Sequence, residues 1–361
     1  MQVGMTTLVS NAQDAAFVRD AERLGATSVW VPETWAQDAL TPLAYLAGQT
    51  ASIRLGSSIA QLGARSPATL AMSAMSLQLL SGGRFLLGVG VSGPQVMEGW
   101  HGVRFGSPLA ATRETIEIVR QIARGDRLRH DGRVYQLPLP GGPGRALRSP
   151  LPPVPVPIYV AALGPRNLEL TGALADGWIG NTFLPEQAGV FTDRLAAGAA
   201  AAGRQLADLD LVIPVAVEFT DDAEAEAAAA RRHAGGYAFT IGAMGSREQN
   251  FYNDALTRQG FGDDVQAVQE LWLSGRRDEA AARVPAELGR ATNLLGTPAM
   301  VADRLRLYRD AGVTTLQAKL DGDHAARLDT LARLIELVAR SAPSRAPPPA
   351  DQGSHTLPLS R

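Results

Sequence analysis

Residues 84–99, RFLLGVGVSGPQVMEG, decide the fold. The apolar run at residues 85–87 is typical of a strand that is buried on both faces of a parallel sheet. Gly88, Gly90 and Gly93 follow it, and glycine lets the backbone turn sharply or lie close to a ligand. The stretch therefore predicts a buried strand that runs into the floor of a ligand site.

Apolar strands alternate with amphipathic helices on both sides of this stretch, which becomes the fourth of eight strands. The other strands are predicted at residues 2–8, 28–31, 53–59, 158–163, 177–181, 209–219 and 315–320. Helices are predicted at residues 14–24, 66–80, 111–124, 164–174, 222–233, 297–312 and 324–339, and one more begins at Thr41 and Pro42. This alternation predicts the α/β class, as a (β/α)8 TIM barrel with insertions.

Two segments interrupt the alternation. Residues 126–157 contain a predicted hairpin, with Asp131 and Gly132 at its turn, and a cluster of prolines and glycines. Residues 234–295 look irregular, and their composition indicates an inserted helical excursion. Residues 1–340 are therefore expected to form a single domain, and the proline-rich residues 341–361 a disordered tail.

Composition excludes several function classes. The chain has 361 residues, of which 45% are hydrophobic, and a net charge of -2 gives no electrostatic footprint for nucleic acid or a membrane. Because there is no cysteine, disulfides and thiolate metal sites are excluded, and the five scattered histidines lack metal-site spacing. No signal peptide and no apolar run long enough to span a membrane is evident. These features predict a cytoplasmic protein without a catalytic metal, and they say little about small substrates.

The glycines at 88, 90 and 93 also match the GxGxxG fingerprint of dinucleotide-binding sheets. In such a sheet the glycines open directly into a helix, and an acidic residue ends the next strand. Here Pro94 follows at once, three strands precede the motif, and no second strand comes for several dozen residues. A barrel strand is therefore the better interpretation, and a glycine-rich turn without a ligand stays open as an alternative.

A parallel barrel brings the segments that follow its strands to one mouth. The polar or glycine-containing segments in these places are Glu33 and residues 58–65, 91–96, 163–167 and 181–183. At Gly164 and Pro165 the chain turns from strand to helix, where free backbone N–H groups can hold an anion. His101 is the only histidine near this predicted mouth. We expect these segments to form one site.

Four segments carry a family resemblance: SVWVPE (28–33), RLGSSI (54–59), LSGGRFLLGVGVSGPQV (80–96) and IYVAALGPRNLELTGALADGW (158–178). Together they resemble the luciferase-like monooxygenase superfamily, and specifically its branch of coenzyme F420-dependent oxidoreductases. The resemblance covers residues 1–340. It implies a bacterial-luciferase-like barrel that binds the deazaflavin F420 at its mouth. It also implies hydride transfer between the deazaflavin C5 and a small organic substrate.

The resemblance carries specific site residues onto this chain. It implies a cis peptide bond between Ser58 and Ile59, in a bulge behind the cofactor ring. The cofactor-binding residues that it implies are Ser58, Ile59, Gln61, Ser92, Gly93, Gln95, Val96, Leu163, Gly164 and Asn167. Arg65 and Arg166 are candidate counter-charges for the cofactor's phosphate or glutamyl tail.

The chain departs from the resemblance at the catalytic position. Alcohol and sugar-phosphate dehydrogenases of the branch have an Asp-His pair after the second strand, where this chain has Glu33 and Thr34. Threonine cannot act as an acid or base near neutral pH, so a reductase is favoured over an alcohol-oxidising enzyme. Glu33, Thr34 and His101 are the candidate catalytic residues. The alternatives are an FMN-dependent monooxygenase that uses oxygen and a non-catalytic flavin-binding protein. Family members are often dimeric, which makes a homodimer an open expectation.

Overall fold

The computed structural model describes residues 1–245 and 250–341. Its strands are β1 (Gln2–Thr6), β2 (Ser28–Val31), β3 (Arg54–Ser57), β4 (Ala60–Gln61), β5 (Phe85–Gly90), β6 (His130–Asp131), β7 (Gln136–Leu137), β8 (Ile158–Ala161), β9 (Gly177–Ile179), β10 (Asp210–Phe219), β11 (Leu294–Gly296) and β12 (Thr315–Lys319). Its helices are α1 (Ala12–Leu24), α2 (Leu40–Ala47), α3 (Pro67–Ser81), α4 (Pro94–Gly99), α5 (Pro108–Ala123), α6 (Pro165–Leu174), α7 (Gly189–Ala201), α8 (Ala223–Ala243), α9 (Phe251–Leu256), α10 (Gly262–Leu273), α11 (Arg277–Arg283), α12 (Ala286–Ala291), α13 (Pro298–Asp310) and α14 (His324–Arg340).

Eight parallel strands close into a barrel. Their order is β1, β2, β3, β5, β8, β9, β10 and β12, and β12 pairs with β1 to complete the circle. The (β/α)8 TIM barrel predicted from the alternation is therefore confirmed. The strand β11 adds to this barrel by pairing in parallel with β10.

Within the stretch at residues 84–99, Phe85–Gly90 form β5, and every residue of this strand is buried. Gly88 allows β3 to approach closely, because a Cβ atom at Gly88 would lie 1.9 Å from the carbonyl oxygen of Ser57. The Ser57 hydroxyl donates to the Gly88 carbonyl at 2.8 Å and accepts from the Gly88 N–H at 2.9 Å. Glycine at this position is thus required by strand packing.

Large side chains fill the middle of the barrel. Trp30, Leu86, Tyr159, Ile179 and Val212 form a buried cluster inside it, separate from the larger core between the strands and the helices. A TIM barrel interior is normally packed in this way. Because the cluster occupies the centre, the space for a ligand lies above it, at the carboxyl ends of the strands.

Several predicted boundaries were wrong. The third strand, predicted at residues 53–59, ends at Ser57, and the chain then bulges before β4 pairs with β5. The helix predicted at 222–233 continues to Ala243 as α8, because its alanine-rich turns pack against α12 and α10. The hairpin turn falls after Asp131, which belongs to β6.

The excursion predicted at residues 234–295 is helical, as expected. It contains the end of α8 and α9 to α12, which share a separate apolar core. Among the described residues, no helix is long and apolar enough to cross a membrane. The tail prediction falls, apart from Ser341, outside the described residues.

Candidate active site

A cavity of 730 Å³ opens at the carboxyl ends of the barrel strands. This size is typical of sites for cofactors and small ligands. The predicted site residues that line it are Glu33, Thr34, Ser58, Ile59, Gln61, Ser92, Gly93, Val96, Leu163, Gly164 and Asn167. The barrel therefore brings together segments that lie more than a hundred residues apart in the chain.

The floor of the cavity is formed by Ser58 and Ile59, and the peptide bond between them is cis, as predicted. Gln317 on β12 reaches across the barrel and donates from Nε2 to Ser58 Oγ at 3.1 Å. A Cβ atom at Gly90 would lie 2.9 Å from Ile59 Cγ1, so glycine makes room for this floor. Close packing thus requires glycine at both position 88 and position 90.

The carboxylate of Glu33 is held by several donors. Arg65 donates to both oxygens, from Nη1 to Oε1 at 2.8 Å and from Nη2 to Oε2 at 2.7 Å. The backbone N–H groups of Gln61 and Ala39 donate to Oε1 and Oε2 at 2.9 and 3.1 Å. The Glu33 side chain is only 5% exposed. The ion pair between Glu33 and Arg65 therefore connects the segments that follow β2 and β3. Arg65, predicted as a counter-charge for the cofactor, is paired with Glu33 in the structure.

His101 lies in a smaller neighbouring cavity of 250 Å³, which also contacts Glu33 and Thr34. Its Nε2 is 3.1 Å from Gln61 Oε1. Gln61 Nε2 in turn donates to the Glu33 carbonyl at 3.2 Å. His101 thus connects to the main cavity through the Gln61 side chain and does not line it.

The loop after β5 curves around one side of the cavity. Ser92 has a φ of 59°, and Gly93 precedes the first turn of α4. The Gln95 side chain does not line the cavity and instead donates to the Gly245 carbonyl. Gln95 therefore joins this loop to the inserted helical region at residues 234–295, whereas Ser92, Gly93 and Val96 face the cavity.

The segment after β8 forms the other side. Gly164 caps the N-terminus of α6, a helix of ten residues that begins at Pro165. Asn167 Oδ1 is buried beside the cavity and has no hydrogen-bond partner among the described residues. A buried amide oxygen without a partner is costly, so a ligand hydroxyl or N–H would satisfy it.

The inserted helical region supplies another wall of the cavity, through residues that the sequence did not single out. Met244, Gly245, Phe251 and Tyr252 line the cavity. Burial raises the pKa of Tyr252, although a hydrogen bond with Asn181 opposes this. The phenol is therefore protonated at neutral pH and can donate into the cavity.

Two residues after α9 attach the helical region to the barrel mouth. Arg258 donates from Nη2 to the Leu163 carbonyl at 2.7 Å. Gln259 donates from Nε2 to the Thr182 carbonyl at 2.9 Å and accepts from the Leu184 N–H at 3.0 Å. The wall is thus fixed to the loops after β8 and β9.

Residues 3–315 match the family described as luciferase-like monooxygenase. The chain belongs to this family. It is 39% identical over 325 residues to a putative coenzyme F420-dependent oxidoreductase of Mycobacterium tuberculosis, covering 88% of this chain and 93% of that protein. It is 29% identical over 308 residues to 5,10-methylenetetrahydromethanopterin reductase of Archaeoglobus fulgidus, covering 84% and 87%.

The fold is also that of a solved structure. The coenzyme F420-dependent tetrahydromethanopterin reductase of Methanopyrus kandleri superimposes with a TM-score of 0.77 at 22% identity, covering 94% of this chain and 98% of that one. The family match and the 39%-identical relative confirm the resemblance that the four sequence segments carry.

In this luciferase-like protein, three of the site residues that the sequence did not single out, Gln317, Phe251 and Tyr252, lie outside those four segments. Gln317 could have been found, because a polar residue at an inward position of the last strand is unusual in a barrel interior. Phe251 and Tyr252 follow Asn250, whose side chain caps α9. That capping pattern predicts a helix start, but nothing local to it places the helix against the barrel.

Proposed function

We propose that this protein is an F420-dependent oxidoreductase that transfers a hydride between the deazaflavin C5 and a small organic substrate, acting as a reductase. The observation that carries the proposal is the cavity, which gathers at one barrel mouth the segments on which the resemblance to the F420 branch rests. The similarity to F420-dependent relatives over most of their length supports it.

The residues at the mouth fit a deazaflavin with a polar side chain. The apolar Ile59 suits the face of a planar ring, and Asn167 Oδ1 lacks a donor that a hydroxyl of the cofactor's side chain would supply. We assign Ser58, Ile59 and Gln61 to the ring. Ser92, Gly93, Val96, Leu163, Gly164 and Asn167 are assigned to the side chain, with Gln95 supporting them from outside. When bound, F420 supplies or accepts the hydride.

The protein's own residues then position the reactants and handle the proton. Glu33 is saturated by donors, so we assign it to positioning the loops. Thr34 and Tyr252 border the cavity with hydroxyl groups, and Tyr252 is held protonated. We propose Tyr252 as a hydrogen-bond or proton donor to the substrate. His101 would act only through Gln61. A base that could accept a proton from an alcohol is missing at Thr34, which favours the reducing direction.

Cofactor titration tests the proposal. Purified protein is mixed separately with F420 and with FMN, and binding is followed by cofactor fluorescence. We expect saturable F420 binding, with FMN at least about tenfold weaker, and oxidation of reduced F420 when a substrate is present. Tight FMN binding without F420 binding would instead support the monooxygenase alternative. Cofactor binding without any turnover would support a non-catalytic flavin-binding protein.

Three further proposals concern the domain organisation, the location and the oligomeric state. We propose that residues 1–340 form one domain with insertions at 126–157 and 234–295, since one apolar core contains residues from Val3 to Val338. The cysteine-free composition supports a cytoplasmic location. A homodimer follows only from the resemblance, and sedimentation equilibrium would test it.

A further inference from the structure

Lys319 is the only lysine in a chain with 34 lysines and arginines. It is the last residue of β12, the strand that closes the barrel. The carboxyl ends of the barrel strands form the candidate active site, and a cation at this position therefore requires an explanation.

The strand register directs the Lys319 side chain into the barrel mouth. Side chains alternate along a strand, and Gln317 points inward because it reaches Ser58 across the barrel. Leu316 and Ala318 point outward and belong to the core beneath the helices. Lys319 shares the inward face with Gln317 and stands one layer closer to the mouth.

Lys319 is not one of the residues that line the cavity, but the lining comes within two strand positions of it. Pro214 lines the cavity and pairs with Gln317 in the register of β10 and β12. Lys319 pairs with Ala216 on β10 and with Thr6 on β1. Two residues along a strand span roughly 6.6 Å. The long, flexible lysine stem can cross that distance and bring its ammonium group to the cavity.

Lys319 has no carboxylate partner within the described parts of the chain. None of their salt bridges includes it, although glutamates and aspartates pair with arginines all over the surface. Burial among the barrel atoms lowers the pKa of the ammonium group, and no neighbouring charge contributes to the shift. Although barrel atoms surround the ammonium group, the residue as a whole keeps a solvent-exposed surface. A cation in this situation gains from an anionic ligand that arrives through the mouth.

The barrel order separates Lys319 from the proposed cofactor segments. The segments proposed to hold the cofactor's side chain follow β5 and β8, the fourth and fifth strands of the circle, whereas β12 is the eighth. The fourth and eighth strands of a closed eight-stranded barrel lie on opposite sides. A cofactor side chain held by the loops after β5 and β8 leaves the opposite side of the mouth, where Lys319 lies, free for the substrate.

We propose that Lys319 binds an anionic oxygen group, a carboxylate or a phosphate, of the substrate that this enzyme reduces. The identification of the anion as part of the substrate rests on the proposed function. Anion binding by Lys319 can be measured without it. An ammonium group donates up to three hydrogen bonds, and a charge-assisted bond of this kind contributes roughly ten- to hundredfold in affinity.

The single lysine allows a direct test. Reductive methylation with ¹³C-formaldehyde labels only Lys319 and the α-amino group, which serves as an internal reference in the same NMR spectrum. Sodium acetate and inorganic phosphate are titrated separately at constant ionic strength. We expect a saturable shift of the Lys319 signal with at least one of the two anions. Equal, non-saturating drifts of both signals would overturn the proposal.

F420 fluorescence titrations of wild type, Lys319→Gln and Lys319→Arg provide the second measurement. We expect all three proteins to bind F420 with affinities within about twofold of one another. The anion that gives the larger saturable NMR shift is then titrated by calorimetry. We expect it to bind the Arg variant at least about tenfold more tightly than the Gln variant. A loss of F420 affinity confined to Lys319→Gln would place the lysine in the cofactor site and contradict the proposal. Failure of wild type to bind F420 would refute the proposed function and leave the NMR result to decide on Lys319.

Discussion

Replacing Glu33 with glutamine should destabilise the protein strongly although the side chain keeps its size. The carboxylate accepts from Arg65 Nη1 and Nη2 and from the N–H groups of Gln61 and Ala39. A glutamine side chain has one acceptor oxygen and turns its amide hydrogens toward the remaining donors. Donors that previously had partners would then face one another.

The size of the effect follows from burial. Removing one partner of a buried ion pair costs about 3–5 kcal/mol, because the other charge stays buried. Arg65 is 19% exposed and has Asp38 at 3.6 Å as a second partner. Part of its charge therefore stays compensated, and we expect the lower end, about 3 kcal/mol.

Urea unfolding measures this change in the free energy of unfolding. The matched control is Glu117→Gln, which removes a carboxylate from an exposed helical pair with Arg113 at 3.8 Å. That control should cost less than about 0.5 kcal/mol. Adding Arg65→Met to Glu33→Gln should recover part of the loss, since the buried charge is gone. A Glu33→Gln protein as stable as the Glu117→Gln control would refute the positioning role.

Three further changes have defined outcomes. Gly88→Ala places a methyl group 1.9 Å from the Ser57 carbonyl oxygen and should cost at least about 2 kcal/mol by urea unfolding, whereas Gly99→Ala, with open space around it, should cost nothing measurable. Asn167→Ala removes a buried acceptor without a partner, so F420 affinity should fall about five- to tenfold with no fall in melting temperature; unchanged affinity would remove Asn167 from the cofactor site. Burial alone would raise the pKa of Glu22, but hydrogen bonds from Ser52 and Ile53 outweigh it and lower the pKa below its ordinary 4.5. Its stabilisation is present above that value and is lost as pH falls through the lowered pKa, so Glu22→Gln should flatten the fall in melting temperature between about pH 5 and pH 3. An equally steep fall in the variant would contradict this assignment.

The barrel could be predicted because strand burial leaves a strong local signal. Residues such as Phe85 and Ile158 lie in apolar runs whose length and flanking glycines or prolines identify them as strands. The helix α7 was missed, although Phe191, Leu195 and Ala199 recur at helical spacing on its buried face. Glycine and alanine dilute the apolar contrast there, so periodicity alone gave a weak signal.

The candidate site likewise has one part that the sequence could predict and one part that it could not. The floor and the loops after β5 and β8 belong to contiguous motifs, and their positions could be carried over residue by residue. The ion pair between Glu33 and Arg65 joins segments 32 residues apart, and Phe251 and Tyr252 reach the cavity from an inserted region. Such contacts depend on tertiary packing, which sequence patterns do not encode locally. In the sequence, Lys319 stands out only as a rare residue type, and the direction of its side chain follows from the register of β12.

A crystal structure of the F420 complex tests the central claim most directly. We expect the deazaflavin ring against Ser58 and Ile59, its side chain between the loops that contain Ser92 and Asn167, and open space on the side of Lys319. A cofactor bound with its side chain toward Lys319, or bound outside the cavity at the carboxyl ends of the strands, would contradict the account.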